Sequence, residues 1–188
     1  IAWVAELFPE ERDYLDTYEA AGLLGKNGLY GHAIHLTPRE RARLKEVGAA
    51  TIHCPTSNTF IGSGLYDLRG LAGDAHVIGL ASDTGGGSSF SLLRTMAAAY
   101  EVAQLSGFAC HPAELLCLAT AGAAAALGMG GRSGALKAGF DGDLVVLDLA
   151  STPAIEQRTA RAGDIWEAVF PTSMLGDDRA IRDVRVLG

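Results

Sequence analysis

The sequence is short of the residues that staple or anchor a chain. Its 188 residues hold only three cysteines, Cys54, Cys110 and Cys117. An odd number cannot pair completely, and no C-x-x-C spacing occurs. A disulfide scaffold and a cysteine zinc cluster are therefore excluded, and a reduced, cytoplasmic protein is the expectation. No run approaches the roughly 18 consecutive apolar residues of a membrane span, and no secretory or transit-type segment stands at the start. Basic residues are few, 15 Lys+Arg against 22 Asp+Glu, for a net charge of −7. Duplex nucleic acid and anionic membranes, which select for clustered positive charge, are poor partners for such a chain. The familiar phosphate and nucleophile motifs are missing too. Gly85-Gly86-Gly87-Ser88 lacks the lysine of a P-loop, Phe90 stands where a dinucleotide fingerprint has its third glycine, and Gly62-Ser63-Gly64 is not a nucleophile elbow. No H-x-H pair occurs.

What is present is an ordinary globular composition, 48% hydrophobic and 20% charged, enough for a sizeable core. The 24 glycines follow no three-residue period, so they mark turns and not collagen. Methionine occurs at Met96, Met129 and Met174, with none at the start. Ile1, Val4, Ala5 and Phe8 already follow a helical spacing with no cap ahead of them, so the chain reads as the C-terminal part of something longer.

Apolar spacing predicts helices over 1–8 and 11–21 and a strand over 29–36. Thr37-Pro38-Arg39-Glu40 has the cap, first-turn proline and third-position glutamate of a capping box, opening a helix to about Val47 with Gly48 behind it. A strand over 49–54 stops at Pro55, and the Ser/Asn/Gly-rich stretch 56–64 reads as a loop. A short helix over 65–71, a strand over 76–82, a helix over 91–106 and an apolar, buried helix over 112–127 follow. Strands alternating with helices, apolar throughout, imply a parallel sheet covered by helices. After Gly128 the pattern changes to glycine turns, a strand over 143–149, a helix over 164–173 and a closing strand in 181–188. That last third reads as antiparallel sheet in a smaller unit, which divides the chain into 1–130 and 131–188.

In parallel α/β proteins the chemistry gathers where strands end. Three such ends carry polar groups here: His32 with His35 close behind, His53 before Cys54-Pro55, and Asp83. Imidazole and carboxylate are both good zinc ligands and could equally hold and deprotonate a water. Asp83 stands out, because it follows an apolar strand and precedes three glycines, where a ligand can approach the backbone closely. The structural alternatives are an N-cap or turn role for Asp83, packing or second-layer support for His53, packing or surface positions for His35 and His76, and a helix cap for His111. The cysteines read as small buried hydrophobes.

The blocks "HCPTSN", "SDTGGGSSFS" and "MLGDDRA" resemble those of the guanine deaminases within the metal-dependent amidohydrolase superfamily. "LATAGAAAALGMGGRSGALKAGFDGDLVVLD" resembles the segment by which that superfamily leaves its barrel for a small β-domain. The likeness runs over almost the whole chain. It departs at Ser82 and Thr84, where bacterial members tend to have Thr and Val, and at Asp141-Gly142. The resemblance implies a (β/α)₈ barrel to which this chain contributes strands six to eight with their helices, plus part of the β-domain. It implies one zinc ion per site, bound by Asp83 with its other ligands upstream, and iron would suit a single carboxylate equally. It further implies that Asp83 accepts a proton from the attacking water and that His32 faces substrate and water. The reaction implied is hydrolytic deamination of guanine to xanthine and ammonia in a cytoplasmic homodimer. The histidine pair of strand one, the strand-five histidine and the proton-shuttling glutamate of the family fall outside this sequence, so the chain alone is expected to be inactive. A related aminohydrolase acting on a triazine, cytosine or an adenosine derivative, and a non-catalytic barrel piece, remain open at this stage.

Overall fold

The computed structural model describes residues 2–188. The chain enters through two short helices, α1 (Ala2–Leu7) and α2 (Tyr14–Ala20), and then builds three parallel strands, β1 (Leu29–Gly31), β2 (Ala50–His53) and β3 (Val77–Leu80), side by side in that order. Parallel neighbours need a crossover. Helix α3 (Pro38–Val47) joins β1 to β2, and α4 (Pro55–Ile61) with α5 (Leu68–Gly73) joins β2 to β3. The long α6 (Leu92–Leu105) follows, then α7 (Pro112–Cys117), a π-type turn over Leu118–Gly122 and α8 (Ala123–Ala126) as one continuous rod.

Register decides what each face of the sheet meets. Thr51 pairs with Ile78 and His53 with Leu80, so these four share a face. It packs against Tyr66, Leu71, Leu93 and Met96, all at most 5% exposed. The opposite face carries Ile52 and Gly79. There the rod comes so close that a Cβ on Gly79 would sit 3.4 Å from the Ala123 Cα, and one on Gly122 2.6 Å from the Ile78 carbonyl. At Gly122 only glycine permits that approach, whereas at Gly79 the tightest neighbour is Ile52 Cδ1 at 3.1 Å.

The capping boxes form where the sequence places them. Thr37 Oγ1 accepts from the Glu40 backbone N–H while Glu40 returns to the Thr37 N–H, and Gly48 closes α3 in the left-handed region at φ 70°. His111 and Glu114 make the same reciprocal pair at the start of α7. Four expectations are corrected. Residues 56–64 are not a loop, because α4 runs through them, with Pro55 in its first turn and Gly62 left-handed at its end. The first strand stops at Gly31 instead of Leu36, since His32 and Ala33 take positive φ. A helix, α9 (Pro153–Thr159), stands where none was expected, capped by Thr152. Cys117 is exposed, whereas Cys54 and Cys110 are buried.

In the last third, β4 (Leu144–Leu147) pairs antiparallel with β5 (Ile181–Arg185). Between them lie α9, α10 (Ile165–Leu175) and a 3₁₀ turn at Asp178–Ala180. Helix α10 packs on α6, with the Tyr100 and Phe170 rings 5.1 Å apart, and Ala180 joins the main core. Val145 and Val184 stay exposed on the two-stranded sheet, as does Val186 just past β5. They border an apolar groove of about 1390 Å³ that reaches Leu93 and Ala124.

Salt bridges tie α2 to α3. Arg39 forks onto Asp13 and Arg43 reaches Glu19 at 2.7 Å, while Arg12 closes locally onto Asp16 at 2.6 Å at the start of α2. The Arg39 hydrogen bonds hold the Asp13 carboxyl below its usual range, and the Arg12 hydrogen bonds do so for Asp16. A carboxylate depressed in the folded state stabilises it fully above its unfolded pKa, near 3.9, and loses that contribution as pH falls through the folded value. Urea titrations between about pH 5 and pH 2 should show a steep loss of stability that Arg39→Met makes shallower. Parallel curves for the two proteins would contradict this role.

Candidate functional site at the strand ends

The carboxyl ends of the three strands open onto one cleft. The His32 backbone N–H donates to the Ile52 carbonyl at 2.9 Å, so the ladder reaches His32. Continued as a strand, His32 would lie opposite His53 and face the helices. It does not, because φ is 67° at His32 and 48° at Ala33. Left-handed backbone is uncommon outside glycine and costs of order 1–3 kcal/mol per residue. The turn sends the His32 ring across the sheet end towards α4 and Asp83.

Asp83, three residues beyond β3, is also left-handed, at φ 49°. Its Oδ2 lies 3.8 Å from His32 Nε2, and the two side chains are 43% and 41% exposed, so both can reach a small molecule in the cleft. The glycines after it serve this placement. The Gly86 and Gly87 backbone N–H groups both donate to the Asp83 carbonyl, which closes a tight turn. A Cβ on Gly86 would stand 2.9 Å from Ser57 Oγ and 3.1 Å from Asp83 Oδ2, and one on Gly87 2.0 Å from the Ser82 carbonyl oxygen. Thr56 Oγ1 donates to that same carbonyl at 3.0 Å and fastens α4 to the turn.

Helix α4 supplies a residue that the sequence did not single out. Asn58, 1% exposed, accepts through Oδ1 from His32 Nδ1 at 2.7 Å. No signal in the string marks it beyond its place in the polar run between Pro55 and Gly62. Among the described residues its Nδ2 and the neighbouring Ser57 Oγ are buried without a partner.

The remaining candidates separate cleanly from the cleft. His53 is fully buried, stacked on Tyr66 with ring centroids 4.4 Å apart. Tyr66 in turn hydrogen-bonds Thr51 at 2.7 Å. Burial pushes the His53 imidazole down to about 3, so it packs as a neutral ring. His35 hydrogen-bonds the Ser63 carbonyl at 2.9 Å. His76 lies just ahead of β3 at the far end of the strand, and burial lowers its pKa. Burial also raises the Cys54 thiol, which leaves it protonated and a poor nucleophile.

Imidazole beside carboxylate is the donor chemistry that zinc prefers, but a catalytic zinc takes three protein ligands. Among the described residues, no cluster of three or more His, Cys, Asp or Glu side chains is placed to hold a metal. Asp83 can supply one donor to such a site with His32 beside it, and the pair alone is too small a set to hold the ion.

Comparison with known proteins follows the same lines. Residues 1–183 match the profile of the Amidohydrolase family. Guanine deaminase of Escherichia coli (strain K12) is 38% identical over 181 residues, which are 96% of this chain and 41% of that protein. The solved structure of E. coli guanine deaminase superposes with a TM-score of 0.97 at 37% identity, covering all of this chain and 44% of that one. Guanine deaminase from C. acetobutylicum, solved with guanine bound in its active site, gives a TM-score of 0.87 at 29% identity, over all of this chain and 45% of its own. The chain thus spans less than half the length of these relatives. Its three-stranded parallel sheet with flanking helices is an α/β portion of the TIM-type hydrolase fold.

Proposed function

The chain belongs to the amidohydrolase family, and from that premise we propose that it forms the C-terminal portion of a zinc-dependent guanine deaminase. In this reading β1, β2 and β3 are strands six, seven and eight of the closed barrel. Residues 1–130 lie in the barrel, and 131–188 belong to a smaller β-domain around β4 and β5. The observation that carries the reading is the convergence of His32 Nε2 and Asp83 Oδ2, 3.8 Å apart, at the open ends of strands whose match to E. coli guanine deaminase covers the whole chain.

Asp83 is the metal ligand this chain contributes. Zinc, when bound, acts as a Lewis acid that makes hydroxide available near neutral pH. The Asp83 carboxylate accepts the proton released as water attacks the ring carbon that bears the amino group. His32 faces the same carbon from the end of β1, across β2 from Asp83, orienting the purine and polarising the attacking water. The glycine turn keeps the carboxylate free of side-chain crowding. Cleavage of the C–N bond converts guanine and water to xanthine and ammonia. The purine is the small-molecule partner, and a cytoplasmic homodimer is the assembly in which we place the complete protein.

The test compares ammonia release from guanine, cytosine and adenine by a protein of the relatives' full length carrying this chain. Release from guanine above the other two supports the reading. Preference for another heterocycle would replace the substrate, and no release from any would leave a non-catalytic barrel. The 188-residue chain by itself, holding one of the three ligands a catalytic zinc needs, should release none.

A further inference from the structure

Asn58 is the polar group in the cleft that the proposed chemistry leaves unused, and its placement is specific. It sits one turn into α4, buried to 1%, with its carbonyl oxygen 2.7 Å from His32 Nδ1. An amide oxygen accepts and cannot donate, so Nδ1 must carry the hydrogen. The Ser63 hydroxyl lies 3.5 Å from the same Oδ1. Asn58 is itself anchored, since its backbone N–H donates to the Cys54 carbonyl and its own carbonyl accepts from the Ser63 N–H, both at 3.0 Å. A second clasp lies beside it, where His35 Nε2 meets the Ser63 carbonyl. Two imidazoles from the strained turn after β1 are thus fastened to the two ends of one segment, Asn58–Ser63.

We propose that Asn58 is a positioning residue that fixes His32 as its Nδ1–H tautomer, with the bare Nε2 turned towards Asp83 and the reacting molecule. In solution a neutral histidine has no such constraint, and which nitrogen carries the proton is decided by the hydrogen bond the other ring atom makes. The left-handed turn at His32 and Ala33 would leave the ring free to swing. The buried amide removes that freedom and sets which nitrogen can accept a proton. The functional consequence rests on the deaminase reading, but the tautomer itself does not.

The experiment is therefore made on a protein of the relatives' full length carrying this chain, stripped of metal and without guanine. Nitrogen-15 NMR of the imidazole rings distinguishes a protonated from a bare ring nitrogen directly. At a pH where His32 is neutral, it should show Nδ1–H and bare Nε2. Asn58→Asp, whose carboxylate also accepts, should keep that pattern, and Asn58→Leu, which cannot accept, should lose it. If the leucine variant does not fold, the wild-type spectrum and the aspartate variant decide. A wild-type ring protonated at Nε2, or an unchanged pattern in a folded Asn58→Leu, overturns the proposal. In the full-length deaminase, Asn58→Leu should lower kcat by roughly 10²-fold, the usual cost of misplacing a reacting group by about 1 Å, and Asn58→Asp should restore most of it. Loss of deaminase activity in the wild type alone would overturn the functional reading and leave the NMR result standing.

Discussion

Replacing Asp83 by Asn in a full-length deaminase carrying this chain should lower ammonia release from guanine on the order of 10³-fold or more, and bound zinc should fall with it. The size follows from what is removed. Metal-assisted activation of water is worth several kcal/mol of barrier, and each 1.36 kcal/mol is a factor of ten. Asparagine is the informative substitution because it keeps the shape of the side chain and, like aspartate, tolerates the left-handed backbone that φ 49° imposes. A change in folding is therefore not expected to confuse the result. The carboxylate is 41% exposed, so losing its charge leaves no buried group stranded. With metal removed from both, urea midpoints for wild type and variant should agree, while zinc content and turnover of the metal-loaded proteins separate. Asp83→Ala should be equally inactive. Should Asp83→Asn retain both metal and turnover, Asp83 is a turn-forming residue, which is the structural role its position also suits.

The second large effect concerns pH and His53. Its ring has no hydrogen-bond partner among the described residues and lies against Tyr66 in the core. Burial holds its pKa near 3, against 6.5 in an exposed chain. Between those values the unfolded chain binds a proton that the folded chain refuses. The difference in bound protons makes stability fall as pH drops, by up to about 1.4 kcal/mol per pH unit. The loss begins near pH 6.5, above the window in which Asp13 and Asp16 act, and continues to about pH 3. His53→Phe keeps an aromatic ring on Tyr66 and removes the titration. Its stability should decline less steeply between about pH 6.5 and pH 4 than that of the wild type, the remaining slope coming from His76 and the carboxylates. A wild type equally stable at both ends of that range would mean that His53 accepts a proton without unfolding the core around it.

How far these features could be read from the amino-acid string depends on how local their causes are. The capping box at Thr37 and Glu40 was legible because every atom of it lies within four residues. The parallel strands were legible because each is a short apolar run ended by glycine, proline or aspartate. Helix α4 was not, although Pro55 and Gly62 bound it correctly, because Thr56, Ser57, Asn58 and Thr59 between them have the composition of a loop. Their helical state is set by burial against α6 and the turn that follows β3. Thr152-Pro153 repeats the Thr37-Pro38 start, and α9 could have been found by that likeness. At the site, Asp83 and His32 were identifiable from their places at strand ends. The cleft they share depends on left-handed backbone at three non-glycine residues, for which the sequence offers no marker. Asn58 was invisible for a related reason, since its contact with His32 spans 26 residues and forms only when α4 folds back over the sheet.

The most direct test of the account is diffraction at the zinc absorption edge from crystals of a full-length protein carrying this chain. We expect an anomalous peak about 2.0–2.2 Å from a carboxylate oxygen of Asp83, the distance of a zinc–carboxylate bond, with the His32 ring facing the same cavity. A zinc peak remote from Asp83, or an Asp83 carboxylate turned away from the cleft that His32 lines, would contradict it.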